Sequence, residues 1–247
     1  MPPESRTDAS FADALAEFKQ RGSNLLVVGP PSDRARAAVC GRLLGDASAG
    51  TRRRLFVETD GTASCLGDYD GPITPETTRL VTRATQTRSA RAAESESAAS
   101  SDPGGGVDSP GGPTHPDAVA GDIGHRHVTE SALSTLACAI NDEITAFADD
   151  CDTLDPAELR LCLDSLTPLV AGNDTVSVRR FLHAITARVR SCRGMAHYHL
   201  AAGRRDDVVV DLAPAFDAVI ELRLEDDRPE QRWHVPDRDL QTDWLPV

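Results

Sequence analysis

The stretch NLLVVGPPSDRARAAVCGRLLG, Asn24 to Gly45, is the key to the architecture. Its apolar run ends at Gly29 and two prolines, which suits a strand buried on both faces of a parallel sheet. Beyond the prolines, Ala35, Ala38, Val39, Leu43 and Leu44 recur at helical spacing and predict one apolar helix face. Strand, tight turn and helix in that order open a β-α-β unit, and the rest of the chain repeats the alternation.

Upstream, Phe11, Leu15 and Phe18 predict a helix over roughly residues 9 to 20, with Gly22 placed to cap its C-terminus. Downstream, RRLFVETD reads as a second strand closing on Glu58 and Asp60. VTESALSTLACAINDEITAFADDC carries a helical stripe of Leu133, Leu136, Ile140, Ile144 and Phe147, with Thr129 as the expected cap. AELRLCLDSLTPLV is a strand ending at Asp164 and Ser165, and Val178, Phe181, Leu182, Ile185 and Val189 mark the helix after it. MAHYHL is another strand, DDVVVDLA a short helix, and DAVIELRLEDDRPEQRWHV a hairpin turning at Asp226 to Glu230. The pattern predicts a mostly parallel three-layer α/β sheet with an antiparallel edge at its end.

Between Gln86 and Gly124 there is no leucine or aromatic, only a crowd of Gly, Pro, Ser and Ala. Such a segment buries too little apolar surface to offset its ordering entropy. It is expected to be a disordered insertion in one domain spanning 1–247, because each flank is an incomplete α/β layer by itself.

Hydrophobic residues make up 40% of the 247, enough for a real core, and the formal net charge is −13. One lysine, Lys19, stands against twenty-five arginines. An acidic surface nearly free of lysine fits a salty cytoplasm, where salt screens self-repulsion, and it disfavours nucleic acid as a partner. No segment has the length of a membrane span or a signal-peptide core, so the expectation is a cytoplasmic protein without membrane contact. The six cysteines, at 40, 65, 138, 151, 162 and 192, have neither C-x-x-C pairs nor metal spacing and read as small buried hydrophobes. The pairs His125/His127 and His197/His199 could each face one way, yet neither has a third ligand at a recognisable spacing, and no metal is expected.

Three stretches, NLLVVGPP, LRLCLDSLTPLV and LAPAFDAVIELRLEDD, together with the order of elements, resemble the RecA-like ATPases and their KaiC-like group. More closely, they are similar to a domain family of salt-loving archaea derived from that group. The resemblance implies a RecA-like three-layer sandwich with a C-terminal antiparallel hairpin. It places Gly29 at the start of the phosphate loop, Asp164 where an aspartate would organise magnesium, and Glu58 near the end of the strand that supplies a catalytic glutamate.

The loop itself departs from G-x-x-x-x-G-K-[ST]: Arg34, Ala35 and Arg36 stand where glycine, lysine and a hydroxyl residue belong. The lysine would meet the β- and γ-phosphates and the hydroxyl would hold magnesium. Gly29, Arg34, Arg36 and Asp164 are therefore expected to form a vestigial nucleotide site, with no catalytic residue, no cofactor, and weak or absent ATP binding. The implied role is regulatory or signalling, through a protein partner or self-association. The alternative is a nucleotide- or anion-binding ATPase or sensor with a remodelled loop, since Arg34 and Arg36 at a helix N-terminus would attract an anion.

Overall fold

The computed structural model describes residues 3–30, 32–46, 50–59, 61, 64–84, 123–150 and 153–247. The chain forms helix α1 (Pro3–Arg21), strand β1 (Ser23–Val28), helix α2 (Asp33–Leu44), then strands β2 (Arg53–Glu58), β3 (Thr78–Arg83) and β4 (Gly124–Val128). Helix α3 (Leu133–Asp149) leads to β5 (Leu159–Leu163), and helices α4 (Thr167–Gly172) and α5 (Thr175–Ser191) lead to β6 (Met195–Leu200). Helix α6 (Asp207–Leu212) precedes β7 (Ala218–Glu225), β8 (Arg228–Val235) and the short β9 (Leu240–Gln241) and β10 (Leu245–Pro246).

All ten strands belong to one sheet in the order β10-β8-β7-β1-β6-β5-β2-β3-β4, with β9 paired to β8. From β7 to β4 every pairing is parallel, and the pairings of β8 with β7, β9 and β10 are antiparallel. This is the expected three-layer α/β architecture with an antiparallel C-terminal edge.

Successive β1 side chains point to opposite faces and join separate cores. Leu26 and Val28 pack with the apolar stripes of α3 and α5. Leu25 and Val27 pack with Phe18 of α1 and with Ala35 and Val39 of α2. The chain leaves β1 toward β2 under α2 and later returns from β4 through β5 and β6 to β7 under α3 to α6. Opposite directions of travel with helices on opposite faces are what right-handed crossovers require. The direction reverses between β1 and β6, and the crevice outside the carboxyl ends of strands at such a reversal is where open α/β sheets hold ligands.

A buried polar network anchors the start of β1. The Tyr198 hydroxyl donates to Asn24 Oδ1 at 2.9 Å, Asn24 Nδ2 donates to the Thr186 carbonyl at 3.2 Å, and the Asn24 N–H donates to Asp217 Oδ2 at 2.8 Å. Arg190 reaches the same Asp217 oxygen at 3.1 Å, so α5, β6 and the start of β7 are all tied to one residue of β1.

Several expectations are corrected. Residues 85–122 lie outside the described residues, but Ile123 is buried and Gly124 opens β4, so the last two residues of the supposed insertion belong to the fold. His125 and His127 sit on that edge strand, both hydrogen-bonded to Thr82 Oγ1, at 2.8 and 2.9 Å. The cap of α3 is Ala132 without a side-chain bond, not Thr129, because β4 runs to Val128 and the helix starts only at Leu133. The hairpin turns on Asp226 and Asp227 alone, with φ of 50° and 60°, the left-handed pair a two-residue turn demands. The first helix begins at Pro3, earlier than its apolar spacing indicates. Among the described residues no helix is long and apolar enough to cross a membrane.

Candidate functional site

The junction of β1 and α2 lies at the carboxyl edge, where a phosphate loop would be. Gly29 has φ 154°, and a Cβ there would lie 2.7 Å from the Leu222 carbonyl oxygen of β7. The glycine is thus required by the neighbouring strand whether or not a phosphate is bound. Pro30 and Pro31 contribute no N–H groups to such a loop. Ser32 caps α2: its hydroxyl accepts from the Ala35 N–H at 3.4 Å and its carbonyl from the Arg36 N–H at 2.9 Å. Two of the amides at the helix start are therefore already engaged.

The structure separates the two arginines. Arg34 is exposed, whereas Arg36 turns inward, donating to Cys65 Sγ at 3.3 Å and to Asp68 Oδ2 at 2.5 Å. Asp164 follows β5 and is 2% exposed; its Oδ1 accepts from the Thr59 N–H at 2.8 Å and the Thr59 hydroxyl at 2.9 Å. Burial drives its carboxyl up to about 7, against the pull of those two donors. Glu58, ending β2, accepts from the Ser64 hydroxyl, and Asp60 lies outside the described residues. The four residues expected to form a vestigial site thus have different surroundings: Gly29 abuts β7, Arg34 faces solvent, Arg36 reaches a cysteine, and Asp164 holds Thr59.

That cysteine belongs to a group that the spacing of residues along the chain does not reveal. Cys40 comes from α2, Cys65 from the segment after β2, Cys162 from β5 and His199 from β6. Cys40 Sγ lies 3.5 Å from Cys65 Sγ, 3.9 Å from Cys162 Sγ and 3.0 Å from His199 Nε2. All four potential ligand atoms fall within 4.8 Å of one another, and all four residues are buried. Among the described residues no other group of three or more His, Cys, Asp or Glu converges in this way.

Each member reaches the cluster by ordinary strand and helix geometry. Cys162 pairs in register with His197, and His199, two residues further along β6, projects to the same face. Cys40 lies one residue past Val39, on the side of α2 that faces β5 and β6. The His197 and His199 rings meet edge to face at 5.3 Å. Burial lowers both imidazoles, His197 to about 3, which favours the neutral ring with a lone pair on one nitrogen. Contacts from Cys162 and Cys65 draw the Cys40 thiol down, while burial drives Cys162 up. Of the remaining cysteines, Cys138 is exposed, Cys192 is half-buried and Cys151 lies outside the described residues. Cys40, Cys65 and Cys162 are buried as expected, but they converge on one another and on an imidazole, which scattered apolar filling does not do.

No signal in the linear sequence announces this group. Cys65, Cys162 and His199 stand 25, 122 and 159 residues from Cys40, and each belongs to a separate element. Only the sheet order, which sets β5 beside β6 and lays α2 over both, brings them together.

No curated protein matches the chain. A family described as being of unknown function, DUF7504, matches residues 22–222, from the glycine ahead of β1 to Leu222 in β7. That span takes in the β1–α2 junction, Asp164 and all four members of the buried cluster, and the chain belongs to the DUF7504 family.

Proposed function

We propose that this chain is a non-catalytic RecA- or KaiC-like domain that has lost ATP turnover and acts in regulation through contacts with protein partners. The observation that carries the reading is the β1–α2 junction. A strand that ends at a crossover reversal and runs into a helix is the layout a phosphate loop would have, which supports the reading, but the groups that would meet a nucleotide are not there. Arg34, Ala35 and Arg36 supply neither the lysine nor the hydroxyl, two prolines remove amides, and Arg36 is committed to Cys65 and Asp68. A phosphoryl-transfer site works almost entirely by positioning and charge stabilisation, so losing those groups removes the means of catalysis. Helix faces and sheet edges remain for contact with another protein, and the acidic surface argues against nucleic acid as the partner.

The test is phosphate release from magnesium-ATP by the purified chain in molar potassium chloride. Release at the buffer rate, unaltered in Asp164→Asn, is the expected result. Release above that rate which Asp164→Asn abolishes would make the protein an ATPase.

A further inference from the structure

We propose that Cys40, Cys65, Cys162 and His199 form a closed tetrahedral site for one zinc ion, which fastens α2 and the segment after β2 to the ends of β5 and β6. Zinc in structural sites takes four protein ligands, three cysteines and one histidine being an ordinary set. Thiolate bonds of about 2.3 Å in a tetrahedron set sulfurs about 3.8 Å apart. The two sulfur separations from Cys40, 3.5 and 3.9 Å, bracket that value. The Cys40 Sγ to His199 Nε2 distance of 3.0 Å needs to open by only about half an ångström to meet ideal sulfur and nitrogen bond lengths.

Two alternative explanations fit less well. A disulfide needs sulfurs about 2.05 Å apart and would use two of the three thiols, leaving the third and the imidazole buried without purpose. Cysteines buried merely as apolar filling would not converge on an imidazole nitrogen from three separate elements.

The surroundings suit the charge of the ion. Three thiolates and a zinc ion sum to −1, and the Arg36 guanidinium donating to Cys65 Sγ at 3.3 Å supplies the opposite charge and orients that ligand. All four coordination positions come from the protein, so the site has no open position for a substrate water and its role is structural. It occupies the carboxyl side of the sheet under α2, where α2, β5 and β6 meet. The zinc assignment rests on the four side chains alone and stands independently of the reading of the loop.

The experiment is elemental analysis of the full chain, purified in molar potassium chloride from cells grown with added zinc. About one zinc per chain is expected. Cys65→Ser and His199→Asn should each lower zinc retention at least about tenfold after dialysis against a chelator, while Cys192→Ser, outside the cluster, should retain it. Cobalt added to metal-stripped wild type should give the visible bands of a tetrahedral site together with thiolate-to-cobalt charge transfer in the ultraviolet. This titration decides the matter even if the variants fail to fold. Wild type without bound zinc and without those cobalt bands would overturn the proposal, and stoichiometric iron or copper in place of zinc would overturn the assignment of the ion.

Discussion

Replacing Gly29 by alanine separates what the fold asks of this residue from what a nucleotide would. The residue sits at φ 154°, a conformation that costs a side-chain-bearing residue about 1–3 kcal/mol. The added Cβ would lie 2.7 Å from the Leu222 carbonyl oxygen and 3.1 Å from its Cβ, so β7 must move, an overpacking cost of about 1–3 kcal/mol. Together these give about 2–6 kcal/mol, a large share of the ~5–15 kcal/mol that holds a typical domain. At ~2–4 °C per kcal/mol for a chain of this size, the melting temperature should fall by roughly 4–24 °C. Gly41 provides the control: it lies within α2, where an added Cβ would meet nothing within 4 Å, so Gly41→Ala should stabilise by about 0.5–1 kcal/mol. The assay is thermal unfolding by circular dichroism in molar potassium chloride without nucleotide. A Gly29→Ala protein that melts within about 1 °C of wild type would disprove the idea that β7, rather than a phosphate, demands this glycine.

Tyr198→Phe removes the hydroxyl that donates to Asn24 Oδ1 and leaves a buried acceptor without it, so denaturant unfolding should show a loss of about 1–3 kcal/mol. The Tyr198→Phe/Asn24→Ala double variant should lose less than the sum of its single variants, and simple additivity would argue against the network at the start of β1. With a net charge of −13, folding should weaken as potassium chloride falls from molar to ~0.1 M and the Debye length grows from about 3 to 10 Å. Equal stability at the two concentrations would remove the argument from salt adaptation.

The central strands were legible because they are short, largely apolar runs bounded by turn residues: β1, β5 and β6 are buried along their whole length, Arg160 of β5 and the two histidines of β6 included. Helices α3 and α5 were legible because their buried residues recur at helical spacing. Strands β3 and β4 were not. TRLVTR has polar residues at both ends, and GHRHV is an edge strand with three exposed residues beside a compositionally biased segment, so neither carries the apolar pattern of a strand. At the site, the absence of a lysine and a hydroxyl residue at positions 34–36 can be read directly from Arg34, Ala35 and Arg36. That Arg36 turns away from the loop toward Cys65 depends on a residue 29 positions later, and the cysteine cluster depends on strand order, which local sequence does not encode.

If a nucleotide fold persists here without its nucleotide, magnesium-ATP at millimolar concentration should leave thermal unfolding in molar potassium chloride untouched. A ligand at one hundred times its dissociation constant adds ~2.7 kcal/mol, which corresponds to roughly 5–11 °C in a domain of this size. The melting temperature with ATP should instead match that without it to within about 1 °C. A rise of several degrees that scales with the ATP concentration would show that the loop still holds its nucleotide.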